Sequence, residues 1–112
     1  MRSRQERMRL ALESGSTDLL EPDEPGWAED AVYHIPAAGV SVRGRADIEK
    51  LVNSMQGALK VNVLSMAENG PFITVQAEVE NNTPGIEYQG PAVLIAKGNE
   101  KDEIVEWWSF RA

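Results

Sequence analysis

A small set of side chains in this sequence has the chemistry for acid–base work on a bound molecule. Glu78 lies in a run, 72–80, in which apolar and polar residues alternate. A glutamate inside an apolar pocket has a raised pKa and can act as a general acid or base. The alternation itself puts Glu78 with Thr74, Gln76 and Glu80 opposite an aliphatic face, which is the pattern of a solvated strand face. The residues alone therefore leave both placements of Glu78 open.

Tyrosine, histidine and tryptophan supply the other candidates. Tyr33 is either a hydrogen-bond donor to a ligand or a core tyrosine whose hydroxyl is satisfied within the protein. His34, the single histidine, points to the opposite side of the same strand. Trp107 and Trp108 are adjacent in a strand, so one faces inward and the other outward. An exposed tryptophan on a sheet face is typical of an interface, and we expect a second subunit to cover the outward one of the two.

Other kinds of site lack their signatures. The 112 residues include no cysteine, which excludes thiolate metal ligands, a cysteine nucleophile and disulfides. Glycine-rich nucleotide-binding motifs are absent as well. We therefore expect neither a metal nor an organic cofactor. A Ser–His–acid triad would require His34 to meet a serine such as Ser65 or Ser109, and no elbow motif supports it.

Charge and hydropathy argue against two classes of partner. A net charge of −7 disfavours nucleic-acid binding, and no apolar run approaches the roughly 20 residues of a membrane helix. Basic residues gather near the start of the chain at Arg2, Arg4, Arg7 and Arg9. We interpret them as the solvated face of a terminal helix, with an RNA-binding arm as the alternative. The lack of cysteine and of a secretory signal favours a cytoplasmic location.

Hydrophobic periodicity and turn signals predict the helices and strands that position these residues. At this length we expect one domain, 1–112. The organising stretch, 30–55, reads as a strand ended by Pro36, a second strand between Gly39 and Gly44, and one amphipathic helix. Around this stretch the patterns predict a helix at 3–13, a short helix at 17–21, and strands at 59–68, 72–80, 87–97 and 103–111.

Helices followed by a meander of antiparallel strands indicate the α+β class. Gly90 and Pro91 interrupt one long strand and predict a bulge or bend there. We expect this bend to curl the sheet into a half-open cone that has helices across its mouth and a pocket inside.

The order of elements resembles the nuclear transport factor 2-like superfamily, the cystatin-like α+β barrel of ketosteroid isomerases, scytalone dehydratases and SnoaL-like polyketide cyclases. More narrowly, Tyr-His-Ile-Pro at 33–36 followed by Gly-Arg-Ala-Asp-Ile at 44–48 is similar to a run in limonene-epoxide hydrolases. The segments 90–93 and 104–107 resemble the last two strands of that family. The resemblance implies a cone-shaped, curved antiparallel or mixed sheet around an apolar small-molecule pocket.

Site residues are carried over position by position. Those hydrolases open an epoxide with two aspartates and a bridging arginine. In this chain Glu78 replaces one acid, Gln76 replaces the arginine, and Ser109 stands where the water-activating aspartate belongs. Because serine without a base does not deprotonate water near neutral pH, the resemblance argues against epoxide hydrolysis. It implies a pocket lined by Tyr33, Ile35, Gln76, Glu78, Trp107 and Ser109. By the same alignment Trp108 is left on the outer face, where we expect a second subunit to cover it.

Two classes of function remain. One is a SnoaL-like enzyme of the isomerase, cyclase or hydrolase type acting on an apolar substrate, with Glu78 as acid or base and with Tyr33 and Gln76 orienting the substrate. The other is a non-catalytic ligand-binding or dimerisation module that keeps the pocket without the chemistry.

The expected homodimer interface follows from the orientation of strand 72–80 that the resemblance implies. If Glu78 faces the pocket, the aliphatic side of its strand is left for a partner subunit. We therefore expect Val75 and Ala77 to join Trp108 in that interface.

Overall fold

The computed structural model describes residues 3–14 and 25–111. The short helix expected at 17–21 lies outside the described residues. No helix of the described ranges is long and apolar enough to cross a lipid bilayer. The elements are two α-helices and six strands, with a 3₁₀ turn at Pro36–Ala38: α1 (Arg4–Ser14), β1 (Trp27–Ile35), β2 (Val40–Arg43), α2 (Arg45–Ser54), β3 (Leu59–Asn69), β4 (Phe72–Asn81), β5 (Tyr88–Gly98) and β6 (Ile104–Arg111).

The strands form a single mixed sheet in the order β2-β1-β6-β5-β4-β3. Strands β3 to β6 are the expected antiparallel meander. β6 then pairs in parallel with β1, and β2 adds to β1 in antiparallel fashion. The sheet remains open, because β2 and β3 lie at its two edges. The α+β class expected from the sequence is confirmed.

Helix α2 is the element that covers β1. Its start is fixed by Gly44, whose φ of 95° turns the chain out of β2. The Gly44 amide donates to the Ala31 carbonyl at 2.7 Å, and the Gly44 carbonyl accepts the first helical bond from Ile48 at 3.0 Å. Ile48 is 0% exposed, and Met55 after the helix is buried too. The helix thus packs its apolar stripe on the sheet, as its 3.6-residue period predicts.

The sheet has two distinct faces. We call the face that packs against α1 and α2 the inner face, and the opposite one the outer face. Since side chains alternate along a strand, each strand contributes every second residue to each face. The buried residues of the inner face include Ala31, Tyr33, Ile35, Val63, Ile73, Val75, Ala77, Ala92, Leu94, Ala96 and Trp107.

The register of the sheet shifts at other places than the expected one, Gly90 and Pro91. The ladder between β4 and β5 runs without a shift through Gly90 and Pro91. Pro91 fits there because the ladder between β5 and β6 ends at Ala92, so its missing N–H leaves no bond to β6 unmade. The register shifts instead between Trp27 and Val32 where β1 pairs with β6, between Val63 and Ser65 in β3, and between Lys97 and Gly98 where β5 pairs with β6. The extra residue of a bulge bends and twists its strand locally.

Candidate functional site

A hollow lies between the two helices and the inner face of the sheet. It consists of a larger chamber of about 130 Å³ and a smaller one of about 70 Å³. Both chambers share walls formed by Leu12, Tyr33, Met55, Leu59 and Trp107. An engineered cavity of about 150 Å³ in another protein is large enough for benzene. The larger chamber is therefore of a size for one small ring.

Three aromatic rings form the wall of the larger chamber. The parallel pairing of β1 with β6 sets Tyr33 opposite Trp107, and their rings stack with centroids 6.0 Å apart and planes 5° apart. Trp27, at the start of β1, meets both rings edge-on at 5.9 Å. Edge-on and offset-stacked rings are the favoured aromatic arrangements, so this wall is well packed. Trp27 was not among the residues expected in the site.

A polar cluster interrupts the apolar wall between the chambers. The indole N–H of Trp107 donates to the Ser109 hydroxyl at 2.9 Å. Burial raises the pKa of the Tyr33 hydroxyl above its ordinary value, while hydrogen bonding with the side chains of Ser109 and Trp107 acts in the opposite direction. Burial is the largest of these effects. Tyr33 is therefore a neutral phenol at physiological pH, available as a hydrogen-bond donor.

Four of the residues expected to line the pocket do line the hollow: Tyr33, Ile35, Trp107 and Ser109. Tyr33 and Trp107 contact both chambers, whereas Ile35 and Ser109 belong to the smaller one. That these four side chains bind a ligand remains a prediction.

Glu78 and Gln76 are exposed on the outer face, so their expected place in the pocket is wrong. The pairing register shows why. Ser109 lies opposite Leu94, which lies opposite Val75, so Ser109 shares the inner face with Val75 rather than with Gln76. The alignment taken from the resemblance is thus one residue out of phase on β4, and a one-residue slip reverses every side chain of a strand. Of the two placements that the residues alone left open for Glu78, the solvated strand face is the one observed.

The same register overturns the expected interface role of Val75 and Ala77. Each is 1% exposed and packed in the core of its own chain. Trp108, by contrast, lies half-buried on the outer face, where its ring stacks on His34 with centroids 5.9 Å apart.

His34 joins a hydrogen-bonded group on the outer face. Its Nε2 lies 2.8 Å from a Glu106 carboxylate oxygen and its Nδ1 lies 3.0 Å from the Ser41 hydroxyl. The serine that His34 meets is therefore neither Ser65 nor Ser109, and the group lies outside both chambers. It ties β2, β1 and β6 together beside Trp108. Within residues 3–14 and 25–111, no group of three or more His, Cys, Asp or Glu side chains is placed to hold a metal ion.

The larger chamber has a charged end that was not predicted from the sequence. Arg4 Nε lies 3.0 Å from one carboxylate oxygen of Asp102, and an Arg7 guanidinium nitrogen lies 3.7 Å from the other. The Arg7 side chain is only 8% exposed, which corrects its expected place on a solvated helix face. A signal was present: Arg4, Arg7, Met8 and Ala11 follow the i, i+3, i+4, i+7 spacing of one helix stripe, and all four line this chamber.

Asp102 is held in place by the turn between β5 and β6. Its φ of 61° lies in the left-handed region, which aspartate tolerates better than most residues. The Asn99 side-chain oxygen accepts the amides of Lys101 and Glu103 at 2.9 and 3.0 Å, and the Asp102 amide donates to the Asn99 carbonyl at 3.0 Å. This bonding fixes the turn, so Asp102 presents its carboxylate to α1 from a rigid position.

No protein-family model and no curated protein sequence matches the chain. Solved structures do match. A protein of unknown function with a cystatin-like fold from Xanthomonas campestris has a TM-score of 0.76 at 17% identity, covering 97% of this chain and 88% of that one. A protein with a ketosteroid isomerase-like fold from Catenulispora acidiphila, in complex with trimethylamine, has a TM-score of 0.72 at 15% identity, covering 98% and 85%.

An LEH-like epoxide hydrolase from M. tuberculosis has a TM-score of 0.70 at 18% identity, with 96% of this chain and 80% of that chain covered. At these identities the likeness concerns the fold. The resemblance noted in the sequence is confirmed at that level.

Proposed function

We propose that this chain, which has the nuclear transport factor 2-like fold, binds a small, mostly apolar molecule that carries one oxygen acceptor. The observation that carries this proposal is the polar cluster of Tyr33, Ser109 and Trp107 in the otherwise apolar wall of the hollow. Ligand sites in proteins are typically apolar clefts in which a few placed polar groups fix the orientation of the ligand. The hollow has this composition.

The hydrogen-bond donors of the polar cluster explain why the proposed ligand carries an oxygen acceptor. Trp107 donates its N–H to Ser109, and we assign the Ser109 O–H to the hydrogen bond between Ser109 and Tyr33. In this arrangement the Tyr33 proton is the one that the cluster does not use internally. A chain of hydrogen bonds polarises its last donor, so the Tyr33 hydroxyl is a strengthened donor for a carbonyl, ether or hydroxyl oxygen.

The positions of the carboxylates favour ligand binding over catalytic proton abstraction. Glu78, the expected acid or base, is exposed on the far side of the sheet. Among the described residues that line the hollow, the one carboxylate is Asp102, which is engaged with Arg4 and Arg7. Tyr33 with its raised pKa holds its proton and does not serve as a base at neutral pH. These features support a binding module over an isomerase or hydrolase.

A matched pair of ligands, each with one aromatic ring, tests the proposal. We expect 1-indanone to bind and to change the fluorescence of Trp27 and Trp107, and indane, which lacks the oxygen, to bind more weakly. Tyr33→Phe should weaken 1-indanone binding by about 0.5–1.5 kcal/mol, or roughly two- to tenfold, and leave indane unchanged. Glu78→Gln is the control and should alter neither affinity.

Titration calorimetry would provide the dissociation constants. Failure of both ligands to bind would refute the proposed function. Loss of 1-indanone binding in Glu78→Gln would show that the outer face, not the hollow, holds the ligand.

We further propose that the outer face is covered by a second copy of the chain. Apolar residues are grouped there: Trp108, Val93 and Ile95 are half-buried, and Phe110 is 40% exposed. Six strands spaced by about 4.8 Å, each of about eight residues rising about 3.3 Å, span roughly 750 Å². A standard interface buries about 800 Å² per partner, so the face is large enough for a stable dimer.

The dimer is tested by adding a charge at its centre. Trp108→Glu should convert the dimer to a monomer in light scattering, because two carboxylates would meet across a two-fold axis in an apolar interface. Asn53→Glu adds the same charge on the exposed side of α2 and should leave the dimer intact. A wild-type mass of one chain at micromolar concentration would disprove this assignment.

A further inference from the structure

We propose that the ligand also carries a carboxylate, and that Arg111 binds this carboxylate in the smaller chamber. The ligand class is then that of small apolar oxo acids, in which a short chain joins a carbonyl group to a carboxylate. The carbonyl oxygen accepts from Tyr33, and the carboxylate lies further along β6. This inference rests on the proposed ligand-binding function and names the ligand class.

Arg111 supplies the charge of the smaller chamber. Among the described residues that line this chamber, it is the only one with a formally charged side chain. Its Nη2 donates to the Ile86 carbonyl at 3.2 Å. Within residues 3–14 and 25–111, no ion pair joins Arg111 to a carboxylate. Because charged groups in apolar surroundings are stabilised by a partner of opposite charge, this position favours an anionic ligand.

The guanidinium group of Arg111 lies over an aromatic ring. Its central carbon is 5.0 Å from the centre of the Tyr88 ring. The Tyr88 hydroxyl donates to the Pro91 carbonyl, and the ring passes so close to Gly90 that a Cβ there would stand 3.0 Å from the hydroxyl oxygen. Stacking uses the face of a guanidinium and leaves the N–H groups at its edge for acceptors. The Ile86 carbonyl accepts one of the five, so a fork that matches a carboxylate remains.

Asn81 adds a second donor at the same end of the chamber. It pairs with Tyr88 across β4 and β5, and its buried side chain lines the chamber beside Arg111. Its side-chain oxygen accepts the Thr83 amide at 2.9 Å, which orients the group, and its NH₂ donates to the Met55 sulfur at 3.6 Å. A thioether is a weak acceptor. A carboxylate oxygen is a stronger one, so an oxo acid also satisfies Asn81 better than the protein does.

The positions of Tyr33 and Arg111 set the length of the ligand. Ser109, which is hydrogen-bonded with Tyr33, lies two residues before Arg111 on β6 and therefore on the same face. Two residues of a strand span roughly 7 Å. An oxo acid with two methylene groups between its carbonyl and its carboxylate covers a comparable distance. An aryl group on its carbonyl would lie in the larger chamber, which Tyr33 also lines and which has the size for one ring.

A purely structural Arg111 is the alternative. In that role it would hold the loop between β4 and β5 through the Ile86 carbonyl and the Tyr88 ring. Its loss would then change the affinity for every ligand of the chamber alike. A role in binding changes the affinity for the anion alone, so two ligands that differ only in charge separate the two roles.

Two nearly isosteric probes test the ligand class at neutral pH: 4-oxo-4-phenylbutanoate and 4-oxo-4-phenylbutanamide. They share the ring, the carbonyl and the chain, and they differ in the charge of the last group. We expect the wild-type chain to bind the acid at least about tenfold more tightly than the amide, because charge-assisted hydrogen bonds are the stronger ones. Titration calorimetry gives both affinities. Equal binding, or a preference for the amide, would overturn the inference.

Variants locate the group that binds the carboxylate. Arg111→Gln should reduce the affinity for the acid about tenfold and change that for the amide by less than about twofold. Arg111→Lys should keep part of the preference for the acid, because it keeps the charge and loses the fork. Arg43→Gln is the control and should alter neither affinity, since Arg43 is exposed on β2 and lines neither chamber.

Two results with these variants would contradict the role of Arg111. A preference for the acid that persists in Arg111→Gln would place the carboxylate elsewhere. An equal loss for both ligands would assign Arg111 the structural role. If Arg111→Gln does not fold, Arg111→Lys decides in its place, because an undiminished preference for the acid in that variant would refute recognition by the fork.

The outcomes also separate this inference from the proposed function. Tyr33→Phe should weaken the acid and the amide by the same factor, because both carry the carbonyl. If the amide and 1-indanone bind but the acid shows no advantage, the ligand class is wrong and the binding function stands. If none of the three binds, the proposed function fails and the inference fails with it.

Discussion

The ionisation of Tyr33 offers the sharpest test of the buried polar cluster. Burial raises the pKa of its hydroxyl above the ordinary value of 10.0, against the opposing hydrogen bonding with the side chains of Ser109 and Trp107. The folded chain therefore retains this proton at a pH at which the unfolded chain has lost it. The resulting stabilisation is fully present below about pH 10 and is lost as the pH rises through the folded-state pKa.

The size of the effect follows from the single proton involved. Above pH 10 the free energy of unfolding should fall by up to about 1.4 kcal/mol per pH unit through Tyr33 alone. Tyr33→Phe keeps the ring and removes the hydroxyl, so it should cost about 0.5–1.5 kcal/mol at neutral pH. Because the variant lacks the hydroxyl, its free energy of unfolding does not fall above pH 10 for this reason. The stability difference between the two chains should therefore shrink above pH 10.

Two measurements check this expectation. The chain has two tyrosines, so Tyr88→Phe leaves Tyr33 as the sole source of tyrosinate absorbance. In the folded Tyr88→Phe protein, tyrosinate should form only above pH 10. Urea unfolding of wild type and Tyr33→Phe over a pH series gives the stability difference directly. Tyrosinate formation at or below pH 10 in the folded state, or a stability difference independent of pH, would refute the buried cluster.

Two further predictions concern how α2 is held on the sheet. Ile48→Ala should lower the free energy of unfolding, measured by urea denaturation, by about 2–5 kcal/mol, because Ile48 is 0% exposed. The control Lys50→Ala, on the exposed side of α2, should change it by less than about 0.5 kcal/mol. Gly44→Ala should cost about 1–2 kcal/mol through its φ of 95° alone, since nothing lies within 4 Å of the added Cβ. Gly26→Ala, which also has open space but no positive φ, should be nearly neutral in the same assay, and an equal loss in both variants would contradict the backbone explanation.

Much of the secondary structure and of the division between buried and exposed faces could be predicted from local hydrophobic periodicity. The 3.6-residue stripe through Ile48 and Met55 was enough to identify α2 and its buried side. The two-residue period separated Tyr33 from His34 and Trp107 from Trp108, and the structure keeps each pair on opposite faces. These properties follow from the geometry of a single helix or strand, so a short window of sequence contains them.

The charged end of the chamber shows where a local pattern was present but misjudged. Arginine on an amphipathic helix is usually solvated, and Arg7 was assigned accordingly. Arg7 forms an ion pair with Asp102, in a turn 95 residues further along the chain. Nothing in the window around either residue points to the other.

The sequence by itself determined the elements, the α+β class and the division of each strand into two faces. Tertiary pairing decided which of those faces meets the helices. The parallel pairing of β1 with β6 and the register of β4 on β5 put Trp107 and Ser109 inside and Glu78 outside. The physical reason is that alternation is a property of one strand, whereas the choice between its faces depends on contacts across the sheet, such as the one between His34 and Glu106 over 72 residues.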